Sequence, residues 1–494
     1  MGEKQMLAAD FGGSGGRVIR GSFNGKRIKT EEVHRFANEP VTLWSSCGGM
    51  MYWDFLRLFH ELKKGIAKAG KASTGIGIDT WGVDYGLLDK DGTLLANPVH
   101  YRDLRTQGMR QAVSECIAEK RMYQITGIQL MEINTVYQLM AERHKREALL
   151  NLADTLLFMS DLFGYFLSGE KNAEYSVSST SQLLDAENRN WSQEILQSLG
   201  ISESLFPPIS MPGKRLGFLR EALCQELSID RLQIFTVAGH DTQSAMAAIP
   251  TEEEEFLFLS CGTWSLLGTE RKHPLITDRG NSLGLSNEGG FKGKISFLKN
   301  IVGLWMIQES RRQWIRQGRE YSFGELESMA REAPTFLAFL NPDAPEFFSE
   351  GDMPGRIQEF CRRNGQKIPQ APGEIVRCIN ESLAFSYRNA IEEIQSCTGM
   401  KYKVLYIVGG GVQSSLLCQM TANACGILVM AGPKEATVYG NLGVQLMAEG
   451  ELASLKELRS VVRHSERVQQ YEPQDSGRWE EAYQAWKNIK QQKG

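Results

Sequence analysis

The sequence predicts an α/β protein that contains more than one domain. Short apolar runs, typical of buried strands, end at or just before an acidic residue in residues 6–10, 74–79 and 234–241. Such runs alternate with amphipathic helical patterns, which indicates sheets connected by helices. A chain of 494 residues is longer than the chains that usually fold around a single hydrophobic core. We therefore expect roughly two to four domains.

Composition and charge argue against several classes of protein. The sequence is 42% hydrophobic and 23% charged, with a formal net charge of −4. These values are typical of a globular protein and offer no basic surface for nucleic acid. No apolar run approaches the roughly 20 residues that span a bilayer, and we expect no secretion signal. The nine cysteines form no C-x-x-C pair, which predicts reduced thiols in a cytoplasmic protein rather than disulfides or a zinc site.

The first strand ends in a glycine-rich turn. Residues 6–10 close on Asp10, the string FGGSGG occupies residues 11–16, and residues 17–23 resume a strand pattern. Because the glycines join two strands and do not open a helix, a dinucleotide-binding motif does not fit. A plain hairpin turn remains possible, but it needs only about two glycines. We therefore favour a loop whose backbone N–H groups approach a phosphate.

An amphipathic helix is predicted over residues 53–65, and it leads into a string that resembles a P-loop. In GIAKAGKA, residues 65–72, Ala72 replaces the hydroxyl residue that binds Mg²⁺. The string also ends a helix instead of joining a strand to one, so it is not a nucleotide site. A second strand then closes on Asp79, and residues 156–166 are predicted to be a core helix.

The centre of the chain predicts a strand, a tight glycine turn and a helix over residues 234–248, with His240 and Asp241 at the turn. Open α/β sheets present their chemistry at such strand ends. Taken alone, Asp241 fits two roles, a helix cap or a general base for a substrate hydroxyl. A Ser-His-Asp hydrolase using Ser244 is rejected, because no G-x-S-x-G elbow exists and adjacent His and Asp cannot form the relay.

The second half repeats the pattern of the first. After an acidic crossing at residues 249–255, residues 256–269 predict a strand, a small-residue turn and a second strand, as near residue 10. We interpret the two segments as the openings of two related halves. Further elements are predicted in order: a turn at 287–291, a strand at 295–300, a helix from 303, a long helix at 375–397, a strand at 404–408 followed by Gly409-Gly-Gly411, and helices at 414–425 and 479–490.

These features together predict phosphoryl transfer. The reaction needs donors around the phosphates, an acid that holds Mg²⁺ and a base that orients the attacking hydroxyl. Glycine turns and the strand-end acids Asp10, Asp79 and Asp241 supply those parts. The sequence has no Walker lysine and no protein-kinase glycine loop, so neither of those nucleotide folds applies.

The motifs also resemble a known family. DFGGSGGR (residues 10–17), SCGTW (260–264) and VGGG (408–411) resemble the nucleotide-binding elements of the actin-like ATPase superfold. With AGHDT (238–242), the chain resembles the FGGY family of carbohydrate kinases across essentially its whole length. Each motif is loose, but their order and spacing are specific. The strings GIDTWGVDY (77–85) and FLKNIVGLW (297–305), among others, resemble the branch that phosphorylates L-rhamnulose.

The resemblance implies a fold and a domain plan. It implies an α/β protein with two actin-like ATPase (ribonuclease H-like) domains around a central catalytic cleft. Residues 1–250 would form the N-terminal domain, with the sugar site and the base, and residues 251–455 the C-terminal domain, with the ATP site. Residues 456–494 would form a helical tail that packs on the surface.

The resemblance also implies roles for individual residues. Asp241 matches the catalytic base that deprotonates the C1 hydroxyl of the ketose, and Asp10 matches the acid that holds Mg²⁺, usually through water. The positions that match ketose contacts are Gly82, His240, Thr242 and Asn300. Those that match the ATP site are Gly13, Ser14, Gly15, Gly16, Arg17, Thr263, Gln308 and Gly410.

The expected activity is ATP-dependent phosphorylation of L-rhamnulose to L-rhamnulose 1-phosphate, with Mg²⁺, in L-rhamnose catabolism. Two alternatives stay open: an FGGY kinase for another ketose or polyol, such as fuculose, xylulose or ribulose, and a non-catalytic actin-like sugar sensor. A sensor should lack the base, so Asp241 argues against it. We expect a cytoplasmic monomer or homodimer whose partner is a small sugar, and no nucleic acid or membrane partner.

Overall fold

The computed structural model describes residues 3–46 and 48–491, and these form two compact units. The first unit comprises the residues up to Glu252 together with Glu270–Phe297 and Glu435–Glu466. The second comprises Glu253–Thr269, Leu298–Lys434 and the residues from Arg467 onward. The chain therefore leaves the first unit and returns to it twice.

The strands are numbered in chain order. They are β1 (Lys4–Gly12), β2 (Gly15–Phe23), β3 (Ile28–Ala37), β4 (Val41–Ser45), β5 (Gly48–Tyr52), β6 (Gly75–Asp79), β7 (Tyr85–Leu88), β8 (Thr155–Phe158), β9 (Ala173–Glu174), β10 (Leu184–Asp185), β11 (Asn190–Trp191), β12 (Ile209–Ser210), β13 (Lys214–Phe218), β14 (Gln233–Thr236), β15 (Leu257–Cys261), β16 (Trp264–Arg271), β17 (Ser286–Gly289), β18 (Ile295–Val302), β19 (Val404–Val408), β20 (Leu428–Ala431) and β21 (Gln469–Tyr471).

The α-helices are numbered in the same way. They are α1 (Phe55–Ala69), α2 (Met109–Cys116), α3 (Glu119–Thr126), α4 (Thr135–Lys145), α5 (Glu147–Leu152), α6 (Met159–Ser168), α7 (Tyr175–Ser179), α8 (Gln193–Ser198), α9 (Glu221–Leu227), α10 (Asp241–Ala247), α11 (Asp278–Ser282), α12 (Trp305–Arg316), α13 (Phe323–Glu332), α14 (Met353–Arg363), α15 (Pro372–Thr398), α16 (Ser415–Cys425), α17 (Ala436–Ala448), α18 (Leu455–Ser465) and α19 (Ser476–Gln491).

The first unit is organised around a sheet with the strand order β13-β14-β6-β1-β2-β3. Strands β1, β6 and β14 run parallel to one another, whereas β2, β3 and β13 pair antiparallel with their neighbours. The carboxyl ends of the three parallel strands therefore meet at one edge of the sheet. In α/β sheets this edge is where ligands bind.

Helices cover this sheet because their apolar faces match it. Asp54 caps α1 by accepting the Arg57 N–H at 3.2 Å, and the buried face of α1, which includes Leu58 and Leu62, joins the core that β1 and β6 form. Helix α17 approaches α10 closely at Gly440, where a Cβ atom would lie 1.8 Å from the Ser244 carbonyl oxygen. Only glycine allows that approach.

The second unit repeats the strand order of the first. Strand β15 pairs antiparallel with β16 and parallel with β19, β19 pairs parallel with β20, and β20 pairs antiparallel with β21. The order β16-β15-β19-β20-β21 thus corresponds, strand by strand and direction by direction, to β2-β1-β6-β14-β13 of the first unit. The predicted relation between the two halves is confirmed in their topology.

Most predicted elements are present, and two predictions were wrong. Residues 156–166 do not form one helix, because Thr155–Phe158 pairs with β7 as strand β8 before α6 begins. The NEGG string is not a simple turn, because Ser286–Gly289 forms the buried strand β17. Among the helices of residues 3–46 and 48–491, none has both the length and the apolar character that crossing a membrane requires.

Candidate active site

Three carboxyl groups lie at the ends of the three parallel strands in the first unit. Asp10 and Asp79 are register partners at the ends of β1 and β6. Thr80 pairs with His240 in a parallel bridge, and the Asp241 N–H donates to the Thr80 carbonyl at 2.8 Å. The fold therefore brings the three predicted acids to one edge of the sheet.

Asp79 is the innermost of the three. Its side chain is fully buried, and Oδ2 accepts the Asn441 amide N–H at 2.5 Å. Burial raises the pKa of Asp79 well above its usual range, the charges of Asp10 and Asp241 raise it further, and the Asn441 hydrogen bond opposes them. This direction favours the neutral acid, which limits the repulsion among three adjacent carboxyl groups.

Asp241 is the most accessible acid of the group, with 32% of its side chain exposed. Its Oδ1 accepts the Thr242 N–H at 2.5 Å and the Thr242 hydroxyl at 3.2 Å. Burial raises the pKa of this carboxyl, the positive charge of His240 lowers it, and the charge of Asp10 raises it. A carboxylate with a raised pKa at an accessible strand end is suited to accept a proton from a hydroxyl.

His240 lies between two carboxylates. Its Nε2 is 3.5 Å from Asp241 Oδ1, and its Nδ1 is 3.2 Å from Glu288 Oε2. Burial lowers the pKa of His240, but the contact with Glu288 and its charge, with the charges of Asp241 and Glu174, raise it above its usual value overall. A protonated His240 would hold Asp241 in its ionised form. The Gln243 amide also donates to Glu288, at 3.3 Å.

The glycine hairpin presents an exposed tip beside these acids. The register pairs Gly12 with Gly15, so Gly13 and Ser14 form a two-residue turn, and both are exposed. A Cβ atom on Gly13 would meet nothing closer than 3.9 Å, whereas one on Gly16 would lie 2.4 Å from the Phe36 ring. Gly16 is therefore required for packing, and Gly13 leaves open space for a ligand.

Arg17 connects the hairpin to Asp10. Its guanidinium lies 2.6 Å from Asp10 Oδ2 and 2.6 Å from Glu435 Oε2. Burial lowers the pKa of Arg17, but the two carboxylates raise it above its usual value overall. Arg17, which was predicted to belong to the ATP site, is thus held in place by two carboxylates, of which the sequence pointed only to Asp10.

Gly82 lies two residues beyond the bridge between Thr80 and His240. A Cβ atom on Gly82 would be 3.0 Å from Thr180, so a larger residue does not fit without movement. The neighbouring Asp84 is buried and accepts the indole N–H of Trp53 at 2.6 Å. Burial raises the pKa of Asp84 to about 6, against hydrogen bonds that lower it. This network fixes the loop that carries Gly82.

The predicted ATP residues of the second unit also come together at strand ends. Thr263 lies in the turn between β15 and β16, and its hydroxyl donates to Gln308 Oε1 at 3.2 Å. The Trp305 N–H donates to the Thr263 carbonyl at 3.2 Å. Gly410 follows the adjacent strand β19, and a Cβ atom there would meet only the Cys261 carbonyl, at 3.8 Å. Backbone at this edge is open to a ligand.

The candidate residues therefore form two groups, each within one unit. The first unit holds Asp10, residues 13–17, Gly82 and residues 240–242. The second holds Thr263, Asn300, Gln308 and Gly410, with Asn300 half-buried on β18.

Sequence reasoning missed Glu288 and Glu174 as neighbours of His240. Glu288 was visible only as part of the NEGG string, and Glu174 carried no signal.

The donor set is compatible with Mg²⁺ held largely by phosphate and water. Among the described residues, no group of three or more His, Cys, Asp or Glu side chains could hold a metal ion alone. Mg²⁺ in phosphoryl-transfer sites commonly uses one or two carboxylates and several waters. Asp10 offers such a carboxylate at the strand end, although Arg17 engages its Oδ2.

The two units form an α/β protein with candidate site residues at the strand ends of each unit, and comparison with known families shows its class. Residues 5–248 match the N-terminal domain, and residues 257–449 the C-terminal domain, of the FGGY family of carbohydrate kinases. The chain belongs to this family. It is therefore a carbohydrate kinase, and membership implies ATP as the phosphoryl donor.

Curated relatives match over nearly the full length. The chain is 39% identical over 490 residues to a protein of Bacteroides thetaiotaomicron named rhamnulokinase, covering 99% of both sequences. It is 37% identical over 474 residues to a Bacillus subtilis protein of the same name, covering 95% of this chain and 96% of the relative.

Solved structures of sugar kinases share the fold. A gluconate kinase from Lactobacillus acidophilus matches with a TM-score of 0.79 at 16% identity, covering 99% of this chain and 98% of that one. A glycerol kinase from Plasmodium falciparum, solved with ADP, matches with a TM-score of 0.75 at 15% identity over 99% and 98% of the chains. At these identities the similarity concerns the fold.

Proposed function

We propose that the chain phosphorylates the C1 hydroxyl of L-rhamnulose with ATP and yields L-rhamnulose 1-phosphate. The observation that supports this substrate is the near full-length similarity of the chain to relatives named rhamnulokinase, at 37–39% identity. The accessible Asp241 carboxylate, next to a histidine with a raised pKa, supports the chemistry.

In this proposal Asp241 is the general base. A sugar hydroxyl is a poor nucleophile at neutral pH, and an aligned base typically contributes ~10²–10⁴-fold to the rate. His240, with Glu288 behind it, keeps the base ionised. Gly82, His240, Thr242 and Asn300 are the proposed ketose contacts.

The proposed ATP contacts are residues 13–17 in the first unit and, in the second unit, Thr263, Gln308 and Gly410. Asp10 would hold Mg²⁺, which supplies charge neutralisation to the phosphates when bound. The domain bounds 1–250 and 251–455, with a tail at 456–494, stay predictions, and of the proposed ATP contacts only Thr263, Gln308 and Gly410 fall in the second of these domains. We also propose that the protein is cytoplasmic and is a monomer or a homodimer.

A coupled assay of ADP release tests the substrate. Purified protein with Mg·ATP is given L-rhamnulose, L-fuculose, D-xylulose and L-ribulose in turn, and kcat/KM is compared. We expect the highest value for L-rhamnulose. A higher value for another ketose would assign the chain to a different FGGY substrate, and no sugar-dependent ADP release with any of them would favour the sensor.

A further inference from the structure

Four hydrogen bonds hold the backbone groups of the turn that carries the proposed base. On one side, Thr80, the residue directly after β6, makes two: Thr80 N–H donates to the Gly239 carbonyl, and Asp241 N–H donates to the Thr80 carbonyl, both at 2.8 Å. On the other side, the Gly239 N–H donates to Glu174 Oε2 at 2.9 Å, and the His240 N–H donates to the Ser176 hydroxyl oxygen at 3.2 Å. The second pair of bonds comes from side chains.

Glu174 and Ser176 form one connected unit. The Ser176 hydroxyl donates to Glu174 Oε2 at 2.6 Å while it accepts from His240. The Glu174 carboxylate also accepts the Ser176 N–H at 2.9 Å and the Val177 N–H at 3.0 Å. Both side chains are at most 1% exposed. Four donors on one buried carboxylate hold it in a single orientation.

The fit around this carboxylate is tight. A Cβ atom on Gly239 would lie 3.0 Å from Glu174 Oε2 and 2.5 Å from the Ser160 hydroxyl. The backbone of the turn therefore rests directly against the carboxylate. A change in the position of Glu174 or Ser176 displaces the turn, and Asp241 moves with it.

We propose that Glu174 and Ser176 are positioning residues for the reaction, which set the direction of the Asp241 carboxylate through the backbone of Gly239 and His240. The inference rests on the proposed role of Asp241 as base. Neither side chain needs to touch the sugar or ATP. A displacement of about 1 Å in a reacting group can reduce the rate by about 10²-fold, so a small shift of this turn is sufficient to affect kcat.

Ser176→Ala is the most direct test, because it removes the acceptor of the His240 N–H and changes little volume. Ser178→Ala is the matched control: Ser178 lies on the same short helix, is fully buried, and its hydroxyl has no hydrogen-bond partner. We expect kcat with L-rhamnulose and Mg·ATP to fall roughly 10- to 100-fold in Ser176→Ala and about 2-fold or less in Ser178→Ala. The KM for ATP should stay within about 3-fold of wild type.

Ser176→Thr and Glu174→Gln provide a second test if the alanine variant is poorly folded. Threonine keeps the hydroxyl and should recover most of the kcat. The amide oxygen of glutamine can accept only some of the four hydrogen bonds that the Glu174 carboxylate accepts, so Glu174→Gln should lower kcat. Equal kcat in the Ser176→Ala and Ser178→Ala variants, or no recovery by threonine in a folded protein, would overturn the inference.

A double-mutant cycle separates this inference from the proposed function. If Ser176 acts through Asp241, Ser176→Ala should change the residual activity of Asp241→Asn by about 2-fold or less. An equal loss in both backgrounds contradicts the positioning role. Wild-type kcat in the Asp241→Asn variant would refute the proposed role of Asp241 as base, and the positioning role with it. Loss of turnover in Asp241→Asn together with unchanged kcat in Ser176→Ala would refute only the positioning role.

Discussion

Asp241 is compatible with both roles that the sequence left as alternatives, although the N-cap of α10 is His240 and not Asp241. It is the first residue of α10, and its carboxylate accepts the Thr242 N–H in the first turn, which satisfies a helix donor. The same carboxylate remains 32% exposed at the edge where three strands end. The local hydrogen bond orients the group without burying it, so it does not conflict with proton transfer.

Asp241→Asn separates these two roles. Asparagine can still accept the Thr242 N–H, so we expect the melting temperature to change little, whereas kcat should fall ~10²–10⁴-fold because the amide cannot accept the sugar proton. The measurements are the ADP-release assay and a thermal unfolding curve on the same preparation. Wild-type turnover by this variant would remove Asp241 from the role of base.

Glu288→Gln should change the pH dependence of the reaction. Without the charge of Glu288, the pKa of His240 falls, and a neutral His240 no longer lowers the pKa of Asp241. The base then becomes protonated at higher pH. The acidic limb of the kcat/KM profile should therefore move to higher pH by on the order of one unit.

The exposed Glu221 on α9 provides the control for this measurement. Glu221→Gln removes the same charge from a residue that takes no part in the contacts of His240 described above, and its profile should superimpose on that of the wild type. An acidic limb that stays in place in Glu288→Gln, or moves to lower pH, would show that Glu288 does not act on the base through His240.

At the scale of elements, two glycines of the β1–β2 hairpin lie in different surroundings. Gly16 packs against Phe36, whereas Gly13 sits at an exposed tip with open space around it. Gly16→Ala should lower the free energy of unfolding by about 1–3 kcal/mol through overpacking. Gly13→Ala should leave stability unchanged but raise the KM for ATP, because the added methyl group occupies the space of a phosphate.

Comparing the two variants by denaturant unfolding and by ATP titration tests this division. A large loss of stability in Gly13→Ala would contradict the open tip. An unchanged KM for ATP in a folded Gly13→Ala variant would instead favour the plain hairpin turn over a phosphate-binding loop.

The same elements show what the sequence could and could not predict. Strand, turn and strand around residue 10 and residue 260, and the strand–turn–helix at residue 240, follow from local patterns and are present. Residues 156–166 were assigned wrongly because a continuous apolar run fits a buried strand or a helix equally well. Pairing of Thr155–Phe158 with β7, which is nonlocal, decides the outcome.

The acids of the site were predictable, but their supporting residues were not. Asp10, Asp79 and Asp241 each follow an apolar run, and parallel strands bring such ends together. Glu174, Glu288 and Glu435 lie 45 or more residues along the chain from the site residues that they contact, and no local pattern marks them. Their roles arise from tertiary packing alone.

At the scale of the whole molecule, the C-terminal helix α19 is a structural part of the second unit. Trp486 is fully buried, its indole N–H donates to the Leu340 carbonyl at 2.7 Å, and its ring stacks with Tyr483. Trp486→Ala should cost about 3–5 kcal/mol of unfolding free energy. Trp44, which is 82% exposed, offers a matched control, and Trp44→Ala should unfold as the wild type does.

Thermal or urea unfolding of the two tryptophan variants provides this comparison, with kcat measured at low temperature where both are folded. We expect kcat to be retained in both, because neither side chain belongs to the proposed sites. Unfolding of Trp486→Ala at the wild-type midpoint would mean that the helix contributes little to the stability of its unit.

The return of residues 435–466 to the first unit has a consequence for synthesis on the ribosome. Helix α17 supplies Asn441, which donates to Asp79, and Gln445, which donates to the Leu7 carbonyl at 2.8 Å on the first strand. A growing chain therefore lacks the last component of its first unit until residues 435–466 have been made, after residues 298–434 of the second unit. Folding of the first unit therefore cannot be completed before residues 298–434 of the second unit have been made, and Asp79 acquires its Asn441 partner only after them.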